Sequence, residues 1–140
     1  MPTLYYAGPL FTDAERLWNS TNAVHLRAQL PHWTVLMPQE FCATFDTGGN
    51  GKPDFGQVYN SCISHLTQAT VILAILDGAD ADSGTCFEMG YAAARNIPLI
   101  GLRTDWRPAE DGAGNCMLTR SCRLVVKSIN EAVTELIRFS

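Results

Sequence analysis

The chain has 140 residues, 46% of them hydrophobic and 17% charged, which is the composition of a globular protein and the length of one domain. Its net charge of -4, with arginines scattered along the sequence, argues against binding to a nucleic-acid backbone. The longest apolar run, "ATVILAIL", is far shorter than the ~20 residues of a membrane span, so we predict no membrane partner. From the length of the chain we predict one domain over residues 1–140.

Strand-like and helix-like patterns alternate along the whole chain. We predict strands at 3–8, 33–38, 70–76, 97–102 and 123–127, and helices at 12–30, 55–68, 84–96 and 129–139. The run at 70–76 is apolar on both faces, which is typical of a central parallel strand. Residues 42–54 and 103–116 are predicted as long loops. This alternation predicts a three-layer α/β fold, with helices on both faces of a mainly parallel sheet.

The cysteines, the histidines and the first residues indicate the compartment. Five cysteines, at 42, 62, 86, 116 and 122, lack paired spacing, and the three histidines are scattered. We interpret the cysteines as reduced thiols and expect no metal site. The start "MPTLYYAG" lacks the charged and apolar regions of a signal peptide, so we expect a cytoplasmic protein.

The end of the first strand is a candidate ligand site, because ligands of such sheets bind beyond the carboxyl ends of the strands. The small turn "AGP" (7–9) would let a ligand approach the backbone. Neither a P-loop nor a Rossmann G-x-G-x-x-G is present, so triphosphates and dinucleotides are disfavoured. Tyr5 and Tyr6 are adjacent and face opposite sides of the strand, so one should pack under a helix while the other reaches the crevice.

Glu88, near the start of helix 84–96, has two possible roles. Thr85-x-x-Glu88 matches a capping box, in which Thr85 caps the helix and Glu88 reaches back to it. Alternatively, Glu88 faces the crevice from the first turn, where the helix N-terminus keeps it ionised as a nucleophile and Gly84 admits a ligand. The local sequence leaves both roles open.

Three aspartates follow the central strand. Asp77 and Asp80 are interpreted as solvated loop residues. Asp82 lies six residues before the helix glutamate, and two carboxylates at one strand end can bind sugar hydroxyls and supply an acid or a base. Further along, Asn115 and Met117 belong either to a plain loop or to a pocket, in the same subunit or in a neighbour's.

Three segments together resemble the nucleoside 2-deoxyribosyltransferases: "YYAGPLFTDAERLWN", "DSGTCFEMGYAAARNIPLIGLRTDWR" and "NCMLTRS". They occur in order and span most of the chain. The resemblance implies a flavodoxin-like (Rossmann-like) α/β three-layer sandwich with a five-stranded, mainly parallel sheet. It also implies an enzyme that moves 2-deoxyribose between nucleobases and uses no cofactor.

The resemblance assigns roles to single residues. Glu88 matches the nucleophile, which would attack C1 of the sugar, expel the base and form a covalent deoxyribosyl-enzyme that a second base resolves with retention. Tyr5 matches the tyrosine that orients this glutamate, and Asp82 matches the loop aspartate that holds the sugar or assists at the base. Asn115 and Met117 match residues that enter the adjacent subunit's site, so a homo-oligomer is expected. The residues that we expect to bind the deoxynucleoside or base are Gly8, Pro9, Phe11, Gln39, Glu40, Gly84, Asn115 and Met117.

The sequence departs from the family at Cys62, where an aspartate often takes part in proton transfer to the base. A thiol, with an ordinary pKa of about 8.5, is a poor substitute for an acid. Either Asp82, Glu40 or Asp54 protonates the base, or the base preference differs.

Three other functions are compatible with parts of the pattern. An N-glycoside hydrolase acting on deoxynucleosides or their 5'-monophosphates would let water resolve the same intermediate, although "GPLF" (8–11) shows no phosphate grip. Phosphoribohydrolases with a P-G-G-x-G-T-x-x-E motif share only G-T-x-x-E with "DSGTCFE". A non-catalytic nucleoside-binding module on the same fold is the third alternative.

Overall fold

Strands and helices alternate along the chain in the computed structural model, which describes residues 1–43 and 53–139. The strands are β1 (Thr3–Ala7), β2 (Thr34–Leu36), β3 (Val71–Ile75), β4 (Leu99–Leu102) and β5 (Leu124–Val126). The helices are α1 (Asp13–Gln29), α2 (Pro38–Phe41), α3 (Phe55–Leu66), α4 (Ser83–Ala94), α5 (Cys116–Ser121) and α6 (Ile129–Ile137). The predicted alternation is confirmed, and the short helices α2 and α5 are additions to it.

The strands form a parallel sheet in the order β2-β1-β3-β4-β5. This order confirms the expected flavodoxin-like three-layer fold. The strand order reverses beside β1, whose Tyr5 is registered with Leu36 of β2 on one side and Ile72 of β3 on the other. At such a switch point the connections leave in opposite directions, which opens a crevice at the carboxyl ends of the strands.

Two apolar cores, one on each face of the sheet, hold the helices in place. On one face the sheet residues Leu4 and Leu73 share a buried cluster with Leu26 of α1 and Leu136 of α6. The other face buries Leu66 of α3 and Met89 and Ala92 of α4 against Tyr5, Ile72 and Ala74. No helix among the described residues is long and apolar enough to cross a membrane.

Helix α4 begins differently from the prediction. The Asp82 side chain accepts a hydrogen bond from the Thr85 N–H at 3.0 Å, so Asp82 is the N-cap. Of the two roles left open for Glu88, the capping box with Thr85 is therefore excluded, because an aspartate three residues earlier takes the cap position. At α1 the N-cap is Thr12, and Glu15 completes a capping box there.

The loops beyond β3 and β4 hold each other. Asp77 accepts hydrogen bonds from the Thr104 N–H at 2.6 Å and the Asp105 N–H at 2.9 Å, and also from the Thr104 hydroxyl. Asp77 therefore ties two loops together and is not the solvated residue that we expected. The loop predicted at 42–54 falls largely on residues 44–52, which lie outside the described residues.

Candidate active site

A cavity of about 630 Å³ lies at the carboxyl ends of β1 and β2, beside the start of α4. Its volume falls within the range of small-molecule sites. Six residues predicted for the site line it: Gly8, Phe11, Gln39, Asp82, Gly84 and Glu88. The other lining residues among those described are Leu10, Arg16, Pro38, Cys42, Ala43, Pro53, Phe55, Val58, Cys62 and Thr85.

The turn after β1 brings the backbone to the cavity wall. Gly8 is required there by packing, since a Cβ at this position would lie 2.8 Å from Cγ1 of the buried Ile75. That contact is closer than real Cβ atoms make, and Ile75 is a β-branched residue of the central strand with little freedom to move. The small residue in the predicted turn is therefore required by the packing of Gly8 against the buried Ile75.

Glu88 is held from below by the first strand. The Tyr5 hydroxyl donates a hydrogen bond to Glu88 Oε1 at 2.6 Å, across 83 residues of sequence. Tyr6, the next residue, faces the opposite side of the sheet, where its hydroxyl donates to Asn19 Oδ1 at 3.0 Å. The strand period therefore separates the two tyrosines as predicted, one toward the crevice and one under α1.

Burial governs the protonation of this pair. It raises the pKa of the Glu88 carboxyl from 4.5 to about 7; the Tyr5 hydrogen bond acts in the opposite direction, and the Asp82 charge raises this pKa further. Burial, followed by the Glu88 charge, raises the pKa of Tyr5 far above its usual range, so the phenol stays a donor. A carboxyl with a strongly perturbed pKa in a cavity is a mark of a functional site.

The position of Glu88 along α4 corrects one expectation. It is the sixth residue of the helix, beyond the first turn in which it was predicted. The favourable field of a helix N-terminus falls off within that turn. Since desolvation is the largest influence on the Glu88 pKa, the carboxyl is not kept fully ionised at neutral pH as the sequence suggested.

Asp82 combines a structural contact with a place on the cavity wall. Both of its hydrogen bonds to Thr85, from the N–H at 3.0 Å and from the hydroxyl at 3.3 Å, end on Oδ2. The cap does not use Oδ1. Asp82 therefore contributes its negative charge to the cavity while it holds the start of α4.

Two thiols line the cavity beside the Tyr5–Glu88 pair. Cys62 of α3 interacts with both Tyr5 and Cys42. Burial is the main cause that raises the pKa of each thiol, to about 12 for Cys42. Both are therefore neutral, weak hydrogen-bond donors at neutral pH, and Cys62 is an even poorer acid than its residue type implies.

Four residues predicted for substrate binding lie outside the lining of this cavity. Glu40 Oε2 forms an ion pair with Arg27 Nη2 at 2.6 Å. The carbonyl of Pro9 accepts a hydrogen bond from α1. Asn115 caps α5, and Met117 on the same helix is 76% exposed.

Sequence reasoning missed a buried polar network behind Gln39. Asn22 donates to the hydroxyl of Tyr6 at 3.1 Å, Tyr6 donates to Asn19, and Asn19 donates to Gln39 Oε1 at 3.0 Å. The available signal was the pair of asparagines three residues apart in α1, which puts both on one helix face. Both are buried.

Within residues 1–43 and 53–139, no group of three or more His, Cys, Asp or Glu side chains is arranged to hold a metal ion. The polar groups that line the cavity include the carboxylates of Asp82 and Glu88, the Gln39 amide and the Arg16 guanidinium.

Fold and cavity together define a class: doubly wound α/β proteins of flavodoxin-like strand order with a buried carboxylate–phenol pair at the switch point. The model of the nucleoside 2-deoxyribosyltransferase family matches residues 4–132. The chain belongs to this family.

Three proteins show the range of similarity. A curated relative, the uncharacterized protein UU063 of Ureaplasma parvum serovar 3, is 31% identical over 114 residues, which cover 74% of this chain and 71% of the relative. The solved 2-deoxyribosyltransferase of Leishmania mexicana is 25% identical, with a TM-score of 0.70 and coverage of 99% and 98%. The solved 2-deoxyribosyltransferase of Bacillus psychrosaccharolyticus shares the fold at 21% identity, with a TM-score of 0.76 and coverage of 94% and 90%.

Proposed function

We propose that the protein is a nucleoside 2-deoxyribosyltransferase that moves 2-deoxyribose from one nucleobase to another through a covalent intermediate on Glu88. The observation that carries this proposal is the 2.6 Å hydrogen bond from Tyr5 to Glu88 beside a cavity of nucleoside size. The family match and the solved relative from Leishmania mexicana, a 2-deoxyribosyltransferase, support the transfer of 2-deoxyribose as the type of reaction.

The reaction consists of two displacements at C1' of the sugar. In the first, a carboxylate oxygen of Glu88 bonds to C1' while the N-glycosidic bond breaks, and the electron pair leaves with the base nitrogen, which acquires a proton. In the second, a nitrogen of the incoming base bonds to C1', displaces Glu88 and loses its proton. Two inversions at one carbon give net retention of the β configuration.

Tyr5 acts on Glu88 in two ways. Its hydrogen bond to Oε1 fixes the carboxylate and leaves Oε2 for the sugar carbon. The same bond lowers the pKa of Glu88 against the effect of burial, so more of the nucleophilic form is present at neutral pH. A positioned partner of this kind is the usual companion of an enzymatic nucleophile.

Asp82 is our candidate for proton exchange with the base or for binding a sugar hydroxyl. Its Oδ1 atom is not used by the helix cap, and the residue lines the cavity. The other two carboxylates considered for this role are engaged elsewhere. Glu40 is paired with Arg27, and Asp54 caps α3 through a bond from the Gln57 N–H at 3.1 Å.

Asn115 and Met117 are proposed to complete the cavity of an adjacent subunit. In one subunit they lie on α5, outside the cavity lining, and Met117 exposes most of its apolar side chain. We infer that the active form is a homo-oligomer in which α5 of one copy faces the cavity of the next.

The test incubates the protein with 2'-deoxyadenosine and an isotopically labelled free base, and separates the products by chromatography. Labelled deoxynucleoside is expected from wild type and is lost in Glu88→Gln. Acid-quenched wild type should carry a mass increase of one deoxyribosyl group on the peptide that contains Glu88. If free deoxyribose is the only sugar product, the protein is a hydrolase and the proposal is wrong. If no purine or pyrimidine gives any product, the protein is a non-catalytic nucleoside-binding module.

A further inference from the structure

The amide of Gln39 has a fixed orientation at the cavity wall. Its Oε1 accepts from Asn19 Nδ2 at 3.0 Å, while its Nε2 donates to the Arg16 carbonyl and to the Ser20 hydroxyl, each at 3.0 Å. An amide has two N–H hydrogens and two acceptor positions. Both hydrogens are therefore used inside the protein, and one acceptor position of Oε1 is what Gln39 has left for a ligand.

The orientation cannot be reversed, because backbone carbonyls stand at both ends of the network. The Pro9 carbonyl, 2.8 Å from Asn19 Nδ2, can only accept, and Tyr6 donates to the Oδ1 of the same asparagine. Asn19 therefore presents an N–H to Gln39. Turning the Gln39 amide over would place its oxygen against the Arg16 carbonyl and its nitrogen against Asn19 Nδ2, which leaves polar groups unpaired at both contacts.

The rest of the described lining contains both acceptors and donors. Asp82 and Glu88 contribute carboxylates. The hydroxyl of Thr85 donates to Asp82 at 3.3 Å, and the Arg16 guanidinium donates to two carbonyls of the turn after β1 and to Asp13. These bonds leave the Nε hydrogen and one Nη2 hydrogen of Arg16, and the two thiols are weak donors. At Gln39 itself, a ligand meets an acceptor.

We propose that the cavity selects nucleobases that carry an exocyclic amino group, adenine and cytosine, over their keto counterparts hypoxanthine and uracil. This inference rests on the proposed function, in that the ligand is a nucleobase. The amino N–H donates to Gln39 Oε1, whereas a keto oxygen at the same position faces an acceptor. Sites that hydrogen-bond one substrate group reject analogues without it, because a polar group of the site is left unpaired.

Binding of free bases to the wild-type protein tests the proposal without any chemistry. Calorimetric titrations compare adenine, unsubstituted purine and hypoxanthine, which share a ring system. Purine differs from adenine only in lacking the exocyclic amino group, whereas hypoxanthine carries a keto oxygen in its place and an N–H instead of an acceptor at N1. The expected order of affinity is adenine, then purine, then hypoxanthine, with about tenfold between the first and the last, the size of one hydrogen bond made or opposed. Equal affinities, or tighter binding of hypoxanthine, would overturn the proposal.

Two variants assign the selectivity to Gln39. Gln39→Met keeps the side-chain length but removes the acceptor, so the adenine-to-hypoxanthine affinity ratio should fall toward one. Ser20→Ala acts from an exposed position and releases one Nε2 hydrogen, which should lower the ratio even if Gln39→Met does not fold. Thr21→Ala, whose hydroxyl bonds to the Leu17 carbonyl on the same helix, is the matched control and should keep the wild-type ratio. An unchanged ratio in the folded variants at 20 and 39 refutes the assignment.

A transfer assay separates this inference from the proposed function. Labelled adenine and labelled hypoxanthine, each with 2'-deoxyadenosine as the common donor, are compared by initial rate. Faster incorporation of adenine agrees with the proposal, and faster incorporation of hypoxanthine overturns it while leaving the transferase intact. If no base is incorporated, the proposed function fails, and the affinity order measured with free bases still decides the selectivity.

Discussion

The buried carboxylate of Glu88 should make the protein less stable as the pH rises, and replacing it should remove that effect. A group whose pKa is higher in the folded than in the unfolded state stabilises the fold while it is protonated, and that stability is lost as the pH rises through the folded-state value. For Glu88 the pKa rises from 4.5 to about 7, mainly because of burial. The stability that protonated Glu88 contributes is therefore lost between about pH 4.5 and a pH somewhat above 7.

The size of the effect follows from the same values. A shift from 4.5 to about 7 corresponds to roughly 3 kcal/mol at 1.36 kcal/mol per pKa unit. Most of this, about 2.5 kcal/mol, is lost between pH 5 and pH 8, because the unfolded carboxyl is already partly ionised at pH 5. In Glu88→Gln the neutral amide keeps an oxygen for the Tyr5 hydroxyl, so the variant should gain about 2.5 kcal/mol relative to wild type over this interval.

Urea unfolding at pH 5 and pH 8, followed by circular dichroism, measures both proteins. Taking the difference between variant and wild type at each pH cancels the other titrating groups. We expect Glu88→Gln to be inactive. We also expect the unfolding free energy of the variant, relative to that of wild type, to be higher at pH 8 than at pH 5. If the two stability curves run parallel, or the variant loses stability relative to wild type at pH 8, the assignment of a burial-raised pKa to Glu88 is wrong.

Four further predictions concern the site and its supports. Tyr5→Phe removes a bond that lowers the Glu88 pKa, so the acid limb of the kcat/KM profile should move to higher pH, whereas Tyr6→Phe, on the opposite face of the strand, should leave that limb in place. Asp82→Ala should lower the urea unfolding free energy by about 1 kcal/mol through loss of the α4 cap, while Asp82→Asn keeps the cap; equal losses would contradict the capping role. Gly8→Ala should cost about 1–3 kcal/mol because its Cβ meets Ile75, whereas Gly90→Ala, with nothing within 4 Å, should not destabilise α4. Mixing inactive Glu88→Gln with inactive Asn115→Ala should restore activity if neighbouring subunits complete each other's cavities, and a mixture that stays inactive argues against shared sites.

Much of the site was readable from the sequence because it depends on short-range patterns. The two-residue period of β1 separated Tyr5 from Tyr6, and the alternation of strands and helices gave the edge of the sheet at which the cavity opens. The motif resemblance then singled out Glu88 from the other carboxylates. These features follow from residue type and spacing, which the chain carries with it before it folds.

The wrong predictions were those in which neighbouring side chains compete. Thr85 and Asp82 can each cap a helix at this place, and the sequence offered Thr85 as a cap because a glutamate follows it at capping-box spacing. In the folded protein Asp82 accepts the Thr85 N–H, which starts the helix earlier and moves Glu88 out of the first turn. Asp77 was read as solvated for a similar reason, since its partners lie in a loop 27 and 28 residues away.

The sequence by itself determined the fold class, the edge of the sheet that carries the cavity and the glutamate displayed there. Only the tertiary structure decided how that glutamate is protonated and what the cavity offers a base. Both depend on contacts between distant parts of the chain, the Tyr5–Glu88 bond across 83 residues and the Asn19–Gln39 bond across 20. Desolvation and hydrogen-bond polarity are properties of the assembled surroundings, so the pKa of Glu88 and the acceptor face of Gln39 exist only once β1, α1, α2 and α4 have packed together.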